Sequence, residues 1–142
     1  MVVIDTSVVV AALRSPSGAS AEIMRRILRG KIKAVASVPL FIEYEAVLLR
    51  PAHLQAAGVS RKAVNNLLDV LAAVVIPVEV SYLWRPQLKD AEDEMVLEAA
   101  VNGQAGTIVT FNVSDFLPAA LKFAIKASTP ADFLRELRDG HY

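Results

Sequence analysis

The sequence is organised around short strand-like runs, several of them rich in β-branched residues, that alternate with longer amphipathic segments. The runs lie at residues 2–4, 34–38, 74–80, 107–110 and 122–126, and segments with the periodicity of helices separate them. The predicted order is β-α-α-β-α-α-β-α-β-α-β-α, with helices at 20–30, 39–50, 60–71, 90–101 and 131–138 among them. Strands that alternate with helices form a parallel sheet covered on both faces, so we predict an α/β fold.

Size and composition restrict the class of protein further. The chain has 142 residues, of which 54% are hydrophobic, so residues 1–142 are expected to form a single domain. There is no cysteine, which excludes disulfides, thiolate metal sites and thiol catalysis and favours a cytoplasmic setting. The longest apolar stretch, at 70–78, contains Pro77 and is far too short to cross a membrane. We therefore expect a soluble protein, with Pro77 in an edge strand.

Charge is balanced overall but unevenly distributed. Fifteen basic and fifteen acidic residues give a net charge of zero, so no general basic coat for nucleic acid exists. Residues 14–33 nevertheless contain six bases and one acid, whereas residues 90–98 contain five acids and no base. The basic segment admits two interpretations, a guide for a nucleic-acid backbone or an ordinary solvated helix face. Its bases are Arg14, Arg25, Arg26, Arg29, Lys31 and Lys33.

Polar residues follow two of the predicted strands directly. Asp5, Thr6 and Ser7 follow the first strand, and Thr110 and Asn112 end the fourth. Ligands of open parallel sheets bind beyond the carboxyl ends of the strands, which is where both groups lie. Each of these residues can equally be a helix cap, and Asp5 alone is well explained in that way.

Further acids lie on two predicted helices. Asp90, Asp93 and Glu94 have the i, i+3, i+4 spacing that places carboxylates on one helical face, where they repel one another. Either they complement the helix dipole at a solvated helix start, or they hold a divalent cation such as Mg²⁺ or Mn²⁺. Glu43 admits the same alternatives, an exposed helix carboxylate or a member of the same site.

Several other α/β enzyme classes lack their defining residues in this chain. No glycine-rich dinucleotide or P-loop motif occurs. Ser7 stands where a dehalogenase-like phosphatase needs its second aspartate, and the third strand is followed by Ser81 and Tyr82 instead of a receiver's phosphoacceptor. His53 and His141 are far apart and have no Ser-Asp partners, which argues against a catalytic triad or a histidine zinc site.

Four motifs occur in order along the chain: VVIDTSV at 2–8, Glu43 within FIEYEAVL, DAED at 90–93 before MVLEAA, and IVTFNVSDF at 108–116. Taken together they resemble the PIN domain, and especially the PIN-family toxins of bacterial toxin–antitoxin pairs. The resemblance extends to about residue 134. It implies a three-layer α/β/α sandwich whose central, mostly parallel sheet has four to five strands.

The resemblance also implies which residues form the site. Asp5, Glu43 and Asp93 match the catalytic acids of the family, and Asn112 stands where the family often has an aspartate. Asp115 matches another frequently acidic position and is expected to supply the missing charge. The expected metal ligands are Asp5, Asp90, Asp93 and Asp115; the expected site-lining residues are Thr6, Ser7, Thr110 and Asn112.

The function implied by this resemblance is a Mg²⁺- or Mn²⁺-dependent endoribonuclease that leaves 5′-phosphate and 3′-hydroxyl ends. The implied biological role is the toxin of a toxin–antitoxin pair, with RNA as substrate, a cognate antitoxin as partner and a homodimer as assembly. Two alternatives stay open. One is an RNA-binding or scaffold protein with weakened catalysis, motivated by Asn112; the other is an RNA-processing nuclease without an antitoxin. The expected RNA-binding residues are Arg14, Arg25, Arg26 and Arg29.

Overall fold

A computed structural model describes residues 1–81 and 87–140 of the chain. Tyr82 and His141, which entered the sequence argument, lie outside these ranges. In the described residues the elements are β1 (Val2–Ile4), α1 (Thr6–Arg14), α2 (Ala19–Leu28), β2 (Val35–Ser37), α3 (Val38–Leu48), α4 (Pro51–Ala57), α5 (Arg61–Val74), β3 (Ile76–Val78), α6 (Ala91–Asn102), β4 (Thr107–Val109), α7 (Val113–Lys122), β5 (Lys126–Ser128) and α8 (Pro130–Arg138).

All strand pairs are parallel, as the alternation of strands and helices predicts. β1, β4 and β5 form one sheet in the order β1-β4-β5, and β2 pairs with β3. An isolated parallel bridge between Val2 and Ala34 joins the two sheets, so the strands follow the order β3-β2-β1-β4-β5. The chain moves outward from β1 to β3 and then returns to β4. The order therefore reverses between β1 and β4, where ligands bind in open α/β sheets.

Helices cover the sheet in two groups. α6 packs against β1, β2 and β4 and contacts α7, whereas α1 packs against α2 and α3, and α2 contacts α5 and α8. Right-handed crossovers on the two sides of β1 place these groups on opposite faces, which gives the three-layer α/β/α arrangement. β1 and β4 are wholly buried between the layers, and the fully buried side chains include Val3, Val8 and Ile108.

Pro77 lies in an edge strand, in agreement with the sequence prediction. It pairs in register with Ala36 of β2, and no other described strand pairs with β3. A proline removes one ladder donor, and at an edge this donor has no partner to lose.

Two boundaries differ from the sequence expectation. Residues 122–126 were expected to form the last strand, but α7 extends to Lys122 despite Pro118, and β5 begins only at Lys126. Between them the chain turns through Ala124, which has a positive φ of 57°. α4, which begins directly after Arg50, was not expected at all; it is capped by Gly58 in the left-handed conformation. No helix in the described ranges is long and apolar enough to span a membrane.

Candidate active site

A cavity of about 400 Å³ opens at the carboxyl edge of the sheet, beside the strand-order reversal. Acids from four separate parts of the chain line it: the residue after β1, helix α3, the start of α6 and the first turn of α7. Its polar lining consists of Asp5, Thr6, Ser7, Glu43, Arg50, His53, Asp90, Glu92, Asp93, Asn112 and Asp115. The fold thus brings together every acid that the sequence argument assigned to the site.

Asp5 is held from two sides and does not cap its helix. It precedes α1 in an extended conformation, yet its side chain makes no capping hydrogen bond. Instead, the hydroxyls of Ser7 and Thr110 donate to its Oδ2 at 3.0 Å and 2.7 Å. Since both bonds use Oδ2, the side chain is oriented without engaging Oδ1 among the described residues.

Thr110 lies behind Asp5, so its expected position on the lining is corrected. Its side chain is fully buried at the end of β4 and does not line the cavity. The backbone N–H of Asn112 donates to Oγ1 at 3.0 Å, while the hydroxyl donates to Asp5. The single hydroxyl proton is therefore committed to Asp5. Thr6 and Ser7, by contrast, do line the cavity.

Tyr44 holds the end of β1, next to Asp5, through a hydrogen bond. Its buried hydroxyl donates to the carbonyl oxygen of Ile4, the last residue of β1. Burial, and secondarily the nearby Asp5 carboxylate, raises the pKa of Tyr44 well above its ordinary value. The tyrosine is therefore a neutral donor that fixes the end of β1 immediately before Asp5.

The start of α6 combines capping with charge repulsion. Asp90 is the N-cap, and its side chain accepts from the backbone N–H of Glu92 at 2.8 Å. Asp93, in the first turn, is partly buried at the cavity wall. Burial, followed by repulsion from the carboxylates of Asp5, Asp90, Asp115 and Glu92, raises the pKa of Asp93 to about 6. These carboxylates are thus close enough to Asp93 to oppose its ionisation.

Glu94 does not share the site with its neighbours. It is buried, and its Oε1 accepts from the backbone N–H groups of Gln87 and Leu88 at 2.6 Å and 2.7 Å. Helical spacing alone placed Glu94 on the same face as Asp90 and Asp93, but the preceding segment captures its carboxylate. Glu94 therefore holds the segment that precedes α6, whereas Asp93 faces the cavity.

Glu43 brings a carboxylate from α3. Ser37 caps this helix by accepting from the N–H of Leu40, and Pro39 occupies the first turn. Oε1 of Glu43 is buried and has no hydrogen-bond partner within the described ranges. Burial, then the Glu92 carboxylate, raises the pKa of Glu43, and Arg50 partly opposes this effect. An unpartnered buried carboxylate oxygen is costly unless a ligand satisfies it.

Asn112 and Asp115 lie together at the start of α7. Asn112 is the N-cap residue, but its side chain makes no capping bond, and both side chains line the cavity. The acid three residues after the amide therefore reaches the same space, as the sequence argument required for Asp115 to supply the missing charge. Asp115 also contributes to the raised pKa of Asp93.

The donor set of this cavity suits a hard divalent cation. Carboxylate oxygens are the ligands that Mg²⁺ and Mn²⁺ prefer, and the raised pKa of Asp93 and the unpartnered oxygen of Glu43 indicate uncompensated negative charge. Across residues 1–81 and 87–140, no three histidine or acidic side chains are arranged to hold a metal ion. Mg²⁺ usually binds through one or two carboxylates and retains several waters, so the residues fit without a closed cage.

The four arginines predicted to bind RNA lie outside the cavity lining. Arg25 and Arg26 both pair with Glu22 on α2, at 2.9 Å and 3.1 Å. These hydrogen bonds lower the pKa of Glu22. Arg29 is exposed at the end of α2, and Arg14 contacts His53 at 2.7 Å.

Three polar lining residues were not placed in the cavity by sequence reasoning. Glu92, Arg50 and His53 reach the cavity from α6, the α3–α4 junction and α4. The available signal was the Arg50-Pro51 pair, because a proline that follows a helix marks a turn at which a new element begins. The sequence reasoning interprets this pair as the end of α3 and names Arg50 as a possible addition to the basic guide for RNA.

The chain was also compared with known protein families, curated proteins and solved structures. A family model described as PIN domain matches residues 1–114, which include β1, the acids of α3 and α6, and β4. The chain therefore belongs to the PIN domain family, whose fold is that of nucleases. The match ends before Asp115. Comparisons with curated proteins and with solved structures found no match.

Proposed function

We propose that the protein is a Mg²⁺- or Mn²⁺-dependent endoribonuclease. The observation that carries this proposal is the convergence of six carboxylates on one cavity, where burial and then repulsion from neighbouring carboxylates raise the pKa of Asp93 to about 6. A divalent cation bound among these carboxylates would offset their negative charge and stabilise the cluster. Membership of the PIN family makes hydrolysis of a nucleic-acid phosphodiester the expected use of that cation.

The catalytic roles follow from how each acid is held. Asp5, Asp90, Asp93 and Asp115 are the proposed cation ligands, and Asp5 is pre-oriented by Ser7 and Thr110. When bound, a divalent cation lowers the pKa of water and offsets negative charge on a phosphate. Glu43, whose pKa is raised, is suited to accept a proton from the attacking water. Asn112 offers an amide that can donate to a phosphate oxygen.

The test is cleavage of defined RNAs by the purified protein. A single-stranded and a hairpin RNA are incubated with the protein in Mn²⁺, in Mg²⁺ and in EDTA. Asp5→Asn and Asp93→Asn preparations, purified identically, control for contaminating nuclease. We expect cleavage that requires the cation and is lost in both variants. Equal cleavage by the wild type and the variants would refute the proposal.

We further propose that this activity serves as the toxin of a cytoplasmic toxin–antitoxin pair, as the sequence resemblance implies. A homodimer is part of this proposal, because α3, α5 and β3 each leave apolar side chains exposed. They are Val38, Ile42, Val70, Val74 and Ile76. Induced expression should arrest growth with the wild type and not with Asp93→Asn, and sedimentation should give twice the chain mass. Normal growth with active nuclease favours an RNA-processing role without an antitoxin.

A binding protein without catalysis is the second candidate. It is favoured by Asn112 in the place of an acid and by the lack of a preformed three-ligand group in the described residues. This candidate predicts RNA binding without cation-dependent cleavage. The cleavage assay described above therefore separates the two.

A further inference from the structure

The cavity that collects the acids also has a basic wall. Arg50 and His53 line it together with the acids, although neither entered the proposed catalytic machinery. Arg14 extends this wall, since its Nη2 contacts Nδ1 of His53 at 2.7 Å. Positive charge thus lines the same cavity of about 400 Å³ as the acid cluster.

The chain fixes Arg50 at this position through its backbone. α3 ends at Leu48, and Arg50 is the extended residue before Pro51, with φ −61° and ψ 132°. Proline disfavours the helical conformation for the residue before it, which explains why the chain is extended at Arg50. The N–H of His53 donates to the Arg50 carbonyl at 2.9 Å, which holds the two residues one turn apart.

The contact with Arg14 determines what His53 can offer. A guanidinium only donates, so Nδ1 of His53 accepts and the proton of the neutral ring lies on Nε2. Burial, followed by the charges of Arg14 and Arg50, lowers the pKa of His53 and keeps the ring neutral. His53 therefore contributes an N–H donor and orients Arg14, while the two arginines supply the charge.

The guanidinium of Arg50 is not paired with an acid. Its charge partly opposes the raised pKa of Glu43, but the Arg50 side chain forms no ion pair or hydrogen bond within the described residues. Oε1 of Glu43 likewise lacks a hydrogen-bond partner there, although both residues line one cavity. By contrast, Arg25 and Arg26 are already engaged by Glu22. An arginine kept beside a carboxylate without pairing to it is available for another anion. The planar guanidinium fork matches a phosphate in geometry and charge.

We propose that Arg50, with His53 and Arg14, forms a subsite for one phosphate of the RNA backbone, next to the phosphate that is cut at the acids. This proposal rests on the proposed ribonuclease function, and it gives Arg50 the role of positioning the RNA for cleavage. It also accounts for how a polyanion enters a cavity lined by carboxylates, because the strand is held first by the basic wall. Arg50 then fixes which bond lies at the acids.

The first test measures RNA binding without cleavage. A fluorescein-labelled twelve-nucleotide single-stranded RNA is titrated by anisotropy in EDTA over a series of salt concentrations. We expect Arg50→Gln to weaken binding about tenfold and to reduce the slope of log K against log[salt] by about 0.7, the value for one phosphate of a single strand. Arg138→Gln is the matched control, since Arg138 is an exposed arginine of α8 that does not line the cavity.

The second test identifies the phosphate itself. A series of 2′-O-methyl RNAs, each with one neutral methylphosphonate, is bound to the wild type and to Arg50→Gln. We expect one linkage whose neutralisation weakens binding to the wild type but has no further effect on Arg50→Gln. Equal losses for both proteins at every linkage would overturn the subsite. Binding by Arg50→Gln equal to that of the wild type would do the same.

The outcomes distinguish the subsite from the function on which it rests. If the wild type binds RNA and cuts it in Mn²⁺ but Arg50→Gln binds equally well, only the subsite is refuted. If the wild type neither binds nor cuts RNA, the proposed function fails with it. Arg50→Lys adds a further check, because it keeps the charge but loses the fork, and we expect an intermediate affinity.

Discussion

Thr110 donates its hydroxyl proton to Asp5 across two neighbouring parallel strands, at 2.7 Å and over 105 positions of sequence. The bond joins the two strand ends between which the strand order reverses. Asp5 is thereby oriented by the sheet and by Ser7, and not by the helix that it precedes. The geometry of the first proposed ligand thus depends on the pairing of β1 with β4.

Replacing Thr110 with valine tests this dependence. The substitution keeps the side-chain shape, but it removes the donor to Asp5 and the acceptor for the Asn112 N–H. We expect the free energy of unfolding to fall by about 2 kcal/mol, because both groups are left without this partner. Mn²⁺ affinity should fall as well. Denaturant unfolding and calorimetry measure the two effects, and Thr110→Ser, which retains the hydroxyl, should preserve both.

The raised pKa of Asp93 predicts how stability varies with pH. Its ordinary value is 3.8 and its value in the folded chain is about 6, so between these values the folded state holds more protons than the unfolded state. The free energy of unfolding should therefore decrease as pH rises from about 4 to about 6. Added Mn²⁺ should restore stability above pH 6, because the cation binds the ionised form.

Thermal unfolding in EDTA from pH 4 to pH 7 measures this contribution as the difference between the wild type and Asp93→Asn. The difference is needed because the pKa of Glu43 is also raised and acts in the same direction. If the melting temperatures of the two proteins changed with pH in the same way, the raised pKa of Asp93 would be contradicted.

A substitution at Asn112 is expected to strengthen cation binding. Asn112 lines the cavity with a neutral amide that makes no capping bond. Asn112→Asp adds a carboxylate, so we expect Mn²⁺ to bind several-fold more tightly in a calorimetric titration. Asn66→Asp, on an exposed face of α5 outside the cavity, adds the same charge and should leave the affinity unchanged. Equal effects of both changes would indicate only a general charge effect.

Ala124 gives a prediction about stability alone. It follows α7 with a φ of 57°, a left-handed conformation that glycine adopts without strain. We expect Ala124→Gly to raise the free energy of unfolding by about 0.5 to 1 kcal/mol. Ala72→Gly, an exposed position inside α5, should lower it by about 1 kcal/mol. Destabilisation by Ala124→Gly would contradict the assigned end of α7.

Ala124 also shows where sequence reasoning reached its limit. Gly30 and Gly103 marked the ends of two helices, and both helices were predicted within two residues. α7 ends without a glycine and contains Pro118, so its end and the start of β5 carried no local signal. The parallel sheet and the edge position of Pro77 were predictable because they depend on the order of elements and on a missing donor.

In the candidate site, too, some contacts could be predicted from the sequence and others could not. Asp5 and Thr110 could be brought together in advance, since parallel strands place their carboxyl ends at one edge. The sequence could not predict that Asp93 faces the cavity while Glu94 is buried. Which of two adjacent helix residues faces the cavity depends on the segments that pack against the helix. Here the backbone of Gln87 and Leu88 captures Glu94. Arg50 and His53 reach the cavity through α4, a helix whose only sequence signal was a proline.

This adjacent pair provides the most direct test of the central claim, that the carboxylates facing the cavity drive RNA hydrolysis. Asp93→Asn and Glu94→Gln make the same carboxyl-to-amide change one residue apart, on a cavity-facing acid and on a buried structural one. The measurement is the rate of RNA cleavage in Mn²⁺ by each variant and by the wild type, at a temperature where all three are folded. We predict that Asp93→Asn loses at least a hundredfold in rate while Glu94→Gln stays within a fewfold of the wild type. Equal losses in both variants, or full activity of Asp93→Asn, would contradict the claim.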